Sequence, residues 1–451
     1  MSILGPLFWL IVSLGILVTI HEFGHFWVAR RFGVRVLRFS VGFGRPLWRR
    51  HGRDGTEYAI AMLPLGGYVK MLDEREAEVP PALLDGAFNR KPVLQRMAIV
   101  AAGPVANLLL CVALLWAMFV IGRPDYSPDV GRVQGIAAES GFQPGDRLLS
   151  VKGRPTPTWS EAGLALLTGS LDRQPLAVEV RDAAGNTRQR TLHLERLPGP
   201  VKERDALAAT GLVPAHFVVP AQVGEVAPDG PAAGRLQSGD LILSVDGTPI
   251  ADFSALPDAI ARAGEAGRDA RLQVRRDGRD QQVTITPRKL HHPRRGDYWG
   301  IGIAVPERLP LPPRDALLRF GPLEAVPAAF RETWRLASES VGMIARMFRG
   351  TASVENVSGP ITIARVADRS ADMGAAWFLS FLALVSLSLA IINLLPVPFL
   401  DGGHLLYYLI ELVTGRPLGE RAMAIGQFIG LALLAGLMGL AFYNDINGLL
   451  R

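Results

Sequence analysis

Residues 7–29 read LFWLIVSLGILVTIHEFGHFWVA, an apolar run long enough to cross a bilayer that carries three ionisable side chains near its end. These side chains, His21, Glu22 and His25, form the pattern H-E-x-x-H. On a helix, positions i and i+4 lie on one face, so both imidazoles can reach one metal ion. Each ionisable side chain inside a span costs about 2.5 to 3.5 kcal/mol to insert, and such residues therefore usually mark function. The stretch predicts a metal site inside a membrane helix.

The same pattern has the chemistry of a hydrolytic zinc site. Zinc accepts nitrogen and oxygen ligands in a tetrahedron, and Glu22 is placed to take a proton from a metal-bound water. An alternative is a polar helix end at the membrane surface, where these side chains reach water, but the cost of burying them disfavours it. The sequence therefore predicts Zn²⁺ as the cofactor, His21 and His25 as ligands, and Glu22 as the catalytic base and acid.

Three further runs are long enough to cross a bilayer, at residues 97–121, 377–395 and 422–443. Charged residues make up only 20% of the 451-residue chain, as expected for a protein that lies partly in a membrane. The first run has no basic segment before it and no clear cleavage site, which favours a retained span over a signal peptide. These patterns predict a multi-pass α-helical membrane protein with four transmembrane helices.

The Arg and Lys residues predict the orientation. They are concentrated in residues 30–96, between the first two spans, and the positive-inside rule assigns that connection to the cytoplasm. Both termini and residues 122–376 then lie on the opposite side. The net charge of +6 is interpreted as this topology signal, so we expect contact with membrane lipid and no nucleic-acid partner. Cys111 is the only cysteine, so no internal disulfide can form.

The segment between the second and third spans contains an internal repeat. Residues 143–155, QPGDRLLSVKGRP, recur 94 positions later as QSGDLILSVDGTP at residues 237–249. The shared pattern Gly-Asp-x-[Leu/Ile]-Leu-Ser-Val-x-Gly-x-Pro resembles PDZ domains of bacterial proteases. Ordinary turn chemistry is the alternative interpretation, but two copies in register disfavour it. We expect two mixed α/β PDZ domains, residues 122–220 and 221–309. Whether either groove binds a peptide strand is open at this point.

Two other segments are predicted to be associated with the membrane. Residues 34–72, within the first membrane half at residues 1–121, alternate as strands do and have glycines at the bends. They predict a β-hairpin that dips into the bilayer and whose edge could pair with an unwound substrate, although a cytosolic hairpin without that role is the alternative. Residues 310–376 contain an amphipathic run, 325–348, that we expect to pack on the spans or lie on the membrane.

The third metal ligand is expected near the end of the third span, in the second membrane half at residues 377–451. The sequence NLLPVPFLDGGH, residues 393–404, combines two prolines that end a helix with two glycines that permit a tight turn. Broken backbone at membrane depth is tolerated where it lines a cavity. Asp401 is the candidate ligand and His404 is its rival, and the residues alone leave both open.

Taken together, these motifs resemble those of the site-2 protease family of intramembrane zinc metalloproteases. The matching stretches are HEFGH at 21–25, RFSVGFG at 38–44, GPVAN at 103–107 and NLLPVPFLDG at 393–402. The order of four spans with two PDZ domains between the second and third is similar to the regulator-of-sigma-E type of Gram-negative bacteria. The resemblance covers essentially the whole chain.

The resemblance implies a role for each matched residue. It implies that His21, His25 and Asp401 hold zinc, which decides against His404, and that Glu22 is the general base and acid. Asn393, with Pro396 and Pro398, would help to hold the substrate strand.

The resemblance also implies a location and a substrate. The protein would lie in the inner membrane with its PDZ domains in the periplasm and its active site toward the cytoplasm. Its substrate would be a single-pass anti-sigma factor already trimmed by another protease, in envelope stress signalling. The PDZ pair would act as a size filter, and leftover signal peptides are a second implied substrate class.

Functions of other classes fit the sequence less well. A non-enzymatic membrane scaffold built on tandem PDZ domains would have no reason to keep costly polar groups in a span. A metal transporter would be expected to place its site in internally repeated spans, and the four runs show no repeat. A protease devoted mainly to signal-peptide remnants is the alternative within the enzyme class.

Overall fold

The computed structural model describes residues 4–197, 199, 201, 203–292, 296–306, 312–349 and 358–450. Two compact units make up the fold: Met1–Pro124 together with Leu318–Arg451, and Asp125–Leu317. The predicted 310–376 segment lies only partly within the described residues, because 310–311 and 350–357 fall outside them. Residues 293–295 and 307–309, in the predicted second PDZ domain, also fall outside.

Long helices and one β-hairpin make up most of the described part of the first unit. Its elements in chain order are α1 (Leu4–Arg31), β1 (Val36–His51), β2 (Glu57–Met71) and α2 (Val93–Ile121), followed after the second unit by α7 (Ala325–Phe348), α8 (Pro360–Asp372), α9 (Ala375–Leu394), α10 (Asp401–Thr414) and α11 (Glu420–Leu450). In the described chain, α1, α2, α9 and residues Arg421–Gly448 of α11 are long and apolar enough to cross a membrane. The prediction of four spans is confirmed.

The last span is longer than the run 422–443 predicted from hydropathy. Helix α11 continues past Tyr443 to Leu450 and includes Asp445, whose side chain is almost fully buried. The Asp445 carboxylate accepts hydrogen bonds from the backbone amides of Gly359 and Ile361, at 3.1 and 2.8 Å. These amides belong to the start of α8, which leaves its first N–H groups without helical partners. The charge of Asp445 is therefore satisfied by hydrogen bonds, so α11 does not need to end before this residue.

The hairpin folds back on itself into four short strands. Val36–Val41 pairs with Gly67–Met71 on one side and with residues 57–60 on the other, and residues 46–51 pair with residues 57–61. The resulting order is 67–71, 36–41, 57–60, 46–51, so strand 67–71 lies at an edge. The two strands lie within the predicted segment 34–72, whose entry into the membrane stays a prediction. The amphipathic run predicted at 325–348 forms α7.

The second unit contains two copies of one arrangement. Its helices are α3 (Gly135–Glu139), α4 (Trp159–Asp172), α5 (Glu203–Ala209) and α6 (Leu256–Glu265). The remaining strands of the chain are β3 (Arg123–Asp125), β4 (Val130–Val133), β5 (Arg147–Val151), β6 (Arg154–Pro155), β7 (Leu176–Arg181), β8 (Thr187–Leu192), β9 (Leu212–Pro214), β10 (Glu225–Val226), β11 (Leu241–Val245), β12 (Thr248–Pro249), β13 (Ala270–Arg276), β14 (Arg279–Ile285), β15 (Arg288–His292), β16 (Gly296–Gly300), β17 (Ile303–Ala304) and β18 (Ala316–Leu318). One sheet has the order β6-β5-β7-β8 and the other has the order β12-β11-β13-β14.

The repeated Gly-Asp motif has a structural role in both copies. The Asp240 carboxylate is buried, accepts a hydrogen bond from the Gln237 amide at 2.9 Å, and pairs with Arg276 at 2.6 Å. Burial alone would raise the pKa of the Asp240 carboxyl, but Arg276 and the Gln237 amide outweigh it and hold that pKa below its ordinary value. Asp146 occupies the same place in the first copy and is paired with Arg190 at 3.1 Å.

Candidate metal centre

Helix α1 places His21 and His25 one turn apart on the same face. Their Nε2 atoms are 3.3 Å apart. The Asp401 Oδ2 atom, on the first residue of α10, lies 3.2 Å from His21 Nε2 and 3.5 Å from His25 Nε2. With ligand bonds of about 2.0 to 2.1 Å, the edge of a tetrahedron around zinc is about 3.3 Å. The three atoms therefore form one face of a tetrahedron of the size that zinc requires.

The tautomer of His25 shows that this group fits a cation. His25 Nδ1 lies 2.9 Å from the carbonyl oxygen of Ile99, which can only accept, so Nδ1 carries the proton. When the ring is neutral, its Nε2 atom presents a lone pair to the Asp401 carboxylate. Asp401 Oδ2 is buried and receives no hydrogen bond from the described residues. Two facing electron-rich atoms repel each other unless a positive charge lies between them. The donor set therefore suits zinc, the metal predicted from the sequence.

The break between α9 and α10 brings Asp401 to this position. Helix α9 ends at Leu394, the two prolines follow, and the backbone turns back so that α10 begins at Asp401. A Cβ on Gly402 would overlap the carbonyl oxygens of residues 394 and 395, and one on Gly403 would overlap that of residue 397. Only glycine therefore allows the broken segment to pack this closely on the first turn of α10.

Helix α2 supplies the supporting contacts that the sequence analysis did not assign. A Cβ on Gly103 would overlap His25 Nε2, so this glycine makes room for the imidazoles. The side-chain amide of Asn107 is fully buried and lies 3.4 Å from His21 Nδ1. Its oxygen has no partner among the described residues, and a half-turn of the amide would let that oxygen accept the proton of His21 Nδ1. In the sequence, the GPVAN stretch at residues 103–107 pointed to Gly103 and Asn107 only as part of a family motif.

A buried ion pair fixes α10 against α2. Arg96 donates to the Glu411 carboxylate through two nitrogens, at 2.7 and 3.1 Å, and both side chains are largely buried. The Arg96 guanidinium also lies over the ring of Tyr408, 4.9 Å from its centroid. Because Asp401 begins the helix that Glu411 belongs to, this pair sets how α10 presents the carboxylate to His21 and His25.

A cavity of about 740 Å³ opens beside the three ligand atoms. Glu22, Asn393, Phe399 and His404 line it, together with residues 68–71 of the edge strand. Within the described residues, the ligand atoms of His21, His25 and Asp401 lie within 4.8 Å of one another. His404 lines the same cavity but is not part of this group.

The predicted substrate-binding residues have different surroundings. Asn393 faces the cavity, whereas Pro396 and Pro398 are not among the described residues that line it. Pro398 packs instead on α11, where a Cβ on Gly430 would overlap its carbonyl oxygen and one on Gly426 would lie 3.5 Å from its ring. The roles of the two prolines in substrate binding stay predictions.

Comparison with known proteins gives full-length matches. The model of the family described as "Peptidase family M50" matches residues 9–437. A "Putative zinc metalloprotease" of Xylella fastidiosa (strain Temecula1 / ATCC 700964) is 50% identical over 99% of this chain and 99% of its own length. "Protease RseP" of Yersinia pestis and "Regulator of sigma-E protease RseP" of Escherichia coli (strain K12) are 42% and 41% identical, each over 100% of both chains. Among solved structures, the PDZ domain of the SdrC-like protein from Listeria innocua covers 20% of this chain and 98% of its own, with 25% identity and a TM-score of 0.17.

Proposed function

The chain belongs to peptidase family M50, and from that premise we propose that its catalytic zinc is held by His21, His25 and Asp401. The chain is a zinc metalloprotease with membrane-spanning helices. The observation that carries the proposed ligand set is the triangle of two imidazole nitrogens and one carboxylate oxygen, with edges of 3.2 to 3.5 Å. Three protein ligands leave one position for water and substrate, as catalytic zinc sites require.

The residues around the proposed zinc site have separate roles in peptide hydrolysis. When bound, zinc supplies Lewis acidity at the scissile carbonyl and makes water acidic enough to lose a proton near neutral pH. The Glu22 carboxylate would take a proton from the attacking water and later deliver it to the leaving amine nitrogen. The Ile99 carbonyl and the Asn107 amide hold the two imidazoles with Nε2 toward the centre.

The substrate is proposed to bind as an unwound strand. A helical peptide hides its carbonyls in hydrogen bonds, so the chain must be opened before hydrolysis. Strand 67–71 is at the sheet edge, and a Cβ on Gly67 would lie 3.1 Å from Glu22 Cγ, so the edge is next to the proposed base. A substrate strand added at that edge would pass Glu22, with Asn393 as a polar contact across the cavity. Pro396 and Pro398 would hold the loop that carries Asp401.

The proposed substrate is a pre-trimmed, single-pass anti-sigma factor. Two of the relatives are named as RseP, one of them as a regulator of sigma-E protease, and they match this chain from end to end. Signal-peptide remnants are the second proposed class. We propose that the two repeats of the second unit are periplasmic PDZ domains that admit only short stubs. The identical strand order of the two sheets supports two domains of one fold. The basic residues between the first two spans indicate a cytoplasmic connection, and the second unit would then lie in the periplasm.

Zinc content and cleavage, measured on the same purified samples, test the centre. We expect the parent protein to hold zinc stoichiometrically and to cut a single-span peptide in detergent. Glu22→Gln should keep the metal and lose about 10²- to 10⁴-fold in rate, since it removes a general base. A chelator should abolish cleavage by the parent.

Asp401→Asn and His404→Asn form a matched pair on one turn of α10. Asp401→Asn should lose both zinc and cleavage, whereas His404→Asn should keep zinc. The opposite pattern would replace Asp401 by His404 in the ligand set. Parent-like cleavage by Glu22→Gln would remove Glu22 from its proposed role.

A further inference from the structure

The β-hairpin runs along α1 from Arg30, at the end of the helix, back toward the middle of the apolar span. Near the end of α1, Arg30 pairs with Asp54 at 2.9 Å. One turn earlier, Phe26 packs edge-on against Tyr58 of the same sheet. At the other end, a Cβ on Gly67 would lie 3.1 Å from Val18. Val18 and Arg30 are twelve residues apart, about 18 Å along a helix. The hairpin therefore extends well below the level of Arg30.

Exposed apolar side chains cover the deep end of the hairpin. Phe43, Leu47, Met62 and Leu63 are 44 to 69% exposed. A soluble protein would leave few such groups in contact with water. Their position beside an apolar span makes hydrocarbon their natural surroundings.

A second cavity, of about 440 Å³, lies on the hairpin away from the metal centre. Its lining includes the apolar side chains of Phe39, Trp48 and Ile60, and also Arg50, His51 and Arg53, which are exposed. It shares no lining residue with the cavity at Glu22. The lining contains no acidic residue, and in the described part of the chain neither Arg50 nor Arg53 pairs with a carboxylate. The pocket is thus apolar on its walls and carries unneutralised positive charge.

We propose that this pocket binds the headgroup and upper acyl chain of an anionic phospholipid. The turn that carries Arg53 also carries Asp54, the partner of Arg30 at the end of the first span, and we expect lipid phosphates at that level. Guanidinium groups bind phosphate oxygens through paired hydrogen bonds. Trp48 would lie at the boundary between headgroups and hydrocarbon, where aromatic side chains are favoured. The acyl chain would pass from there along Ile60 toward the exposed apolar end of the hairpin. The bound lipid would fix the hairpin at the depth at which its opposite edge meets Glu22.

Retention of phosphatidylglycerol by the full-length protein in detergent tests this site. Detergent removes the charged bilayer surface, so diffuse attraction between Arg side chains and the membrane does not contribute. The test variant is Arg50→Gln/Arg53→Gln. The matched control is Arg45→Gln/Arg49→Gln, which removes the same charge from the same hairpin but from residues outside the pocket lining. Bound lipid is counted by native mass spectrometry during titration with phosphatidylglycerol or phosphatidylcholine.

The parent should bind phosphatidylglycerol in preference to phosphatidylcholine. The test variant should bind phosphatidylglycerol about 30-fold more weakly, if each Arg contributes as basic residues near anionic lipid do, while the control stays close to the parent. Equal losses in both double variants would show general basic attraction and overturn the site. Displacement of the lipid by millimolar inorganic phosphate would show a simple anion site and overturn the lipid assignment. Because cleavage is not the readout, the result is independent of the proposed catalytic roles.

Discussion

Gly103→Ala is the substitution that most directly tests the geometry of the metal centre. The added methyl would lie 2.6 Å from His25 Cε1 and 2.8 Å from His21 Cε1, whereas ordinary contacts begin at 3.4 Å. Because the methyl would also overlap His25 Nε2, either the rings or α2 must move by about 1 Å. Overfilling a packed site by one methyl costs about 1 to 3 kcal/mol, and a middle value of about 2 kcal/mol corresponds to roughly 30-fold weaker zinc binding.

Gly15→Ala is the matched control, because it adds the same methyl to a span where nothing lies within 4 Å. Alanine is the better helix former by about 1 kcal/mol, so the control should be as stable as the parent or more so. Zinc affinity is measured by competition with a chromophoric chelator, and helix content by circular dichroism. Parent-like zinc affinity in Gly103→Ala, with both variants folded, would refute the close packing of α2 on the two imidazoles.

Three further predictions concern contacts around the site and in the repeats. Asn107→Ala should weaken zinc binding about 10- to 100-fold without lowering helix content, because His21 loses the group that orients its ring. Competition with a chelator measures the zinc affinity. Arg96→Gln should destabilise the first unit by about 3 to 5 kcal/mol, since Glu411 would be left buried without its partner. Arg96→Lys should lower the free energy of unfolding by less, and thermal unfolding measures both variants. Because the folded-state pKa of Asp240 is lowered, its stabilisation is present above the unfolded-state pKa and is lost as pH falls through the folded-state pKa. The protection of β11 amides against hydrogen exchange, relative to the intrinsic exchange rate at each pH, should therefore fall in acid in the parent, and Asp240→Asn should weaken that dependence.

Local patterns were sufficient for most of the architecture. Hydropathy predicts the four spans because each must bury about 20 apolar residues regardless of its neighbours. Alternation predicts the hairpin, helical spacing predicts α7, and the 94-residue repeat predicts two sheets of one topology. The pair His21 and His25 is also local, since one helical turn places both on the same face.

The rest depends on contacts between residues far apart in the chain. The residues alone could not choose Asp401 over His404, because that choice depends on how the broken segment packs on α10 and how Arg96 holds Glu411. Ile99 and Asn107 meet the two histidines across 74 and 86 positions, and no sequence period connects them. The order of strands within the hairpin, and hence which edge lies beside Glu22, is likewise decided by packing against α1. The sequence alone thus determines the elements and the kinds of ligand, because both follow from short-range periodicity. Only the tertiary structure decides which lone pairs face the metal, because that depends on helices packed to within a fraction of an ångström.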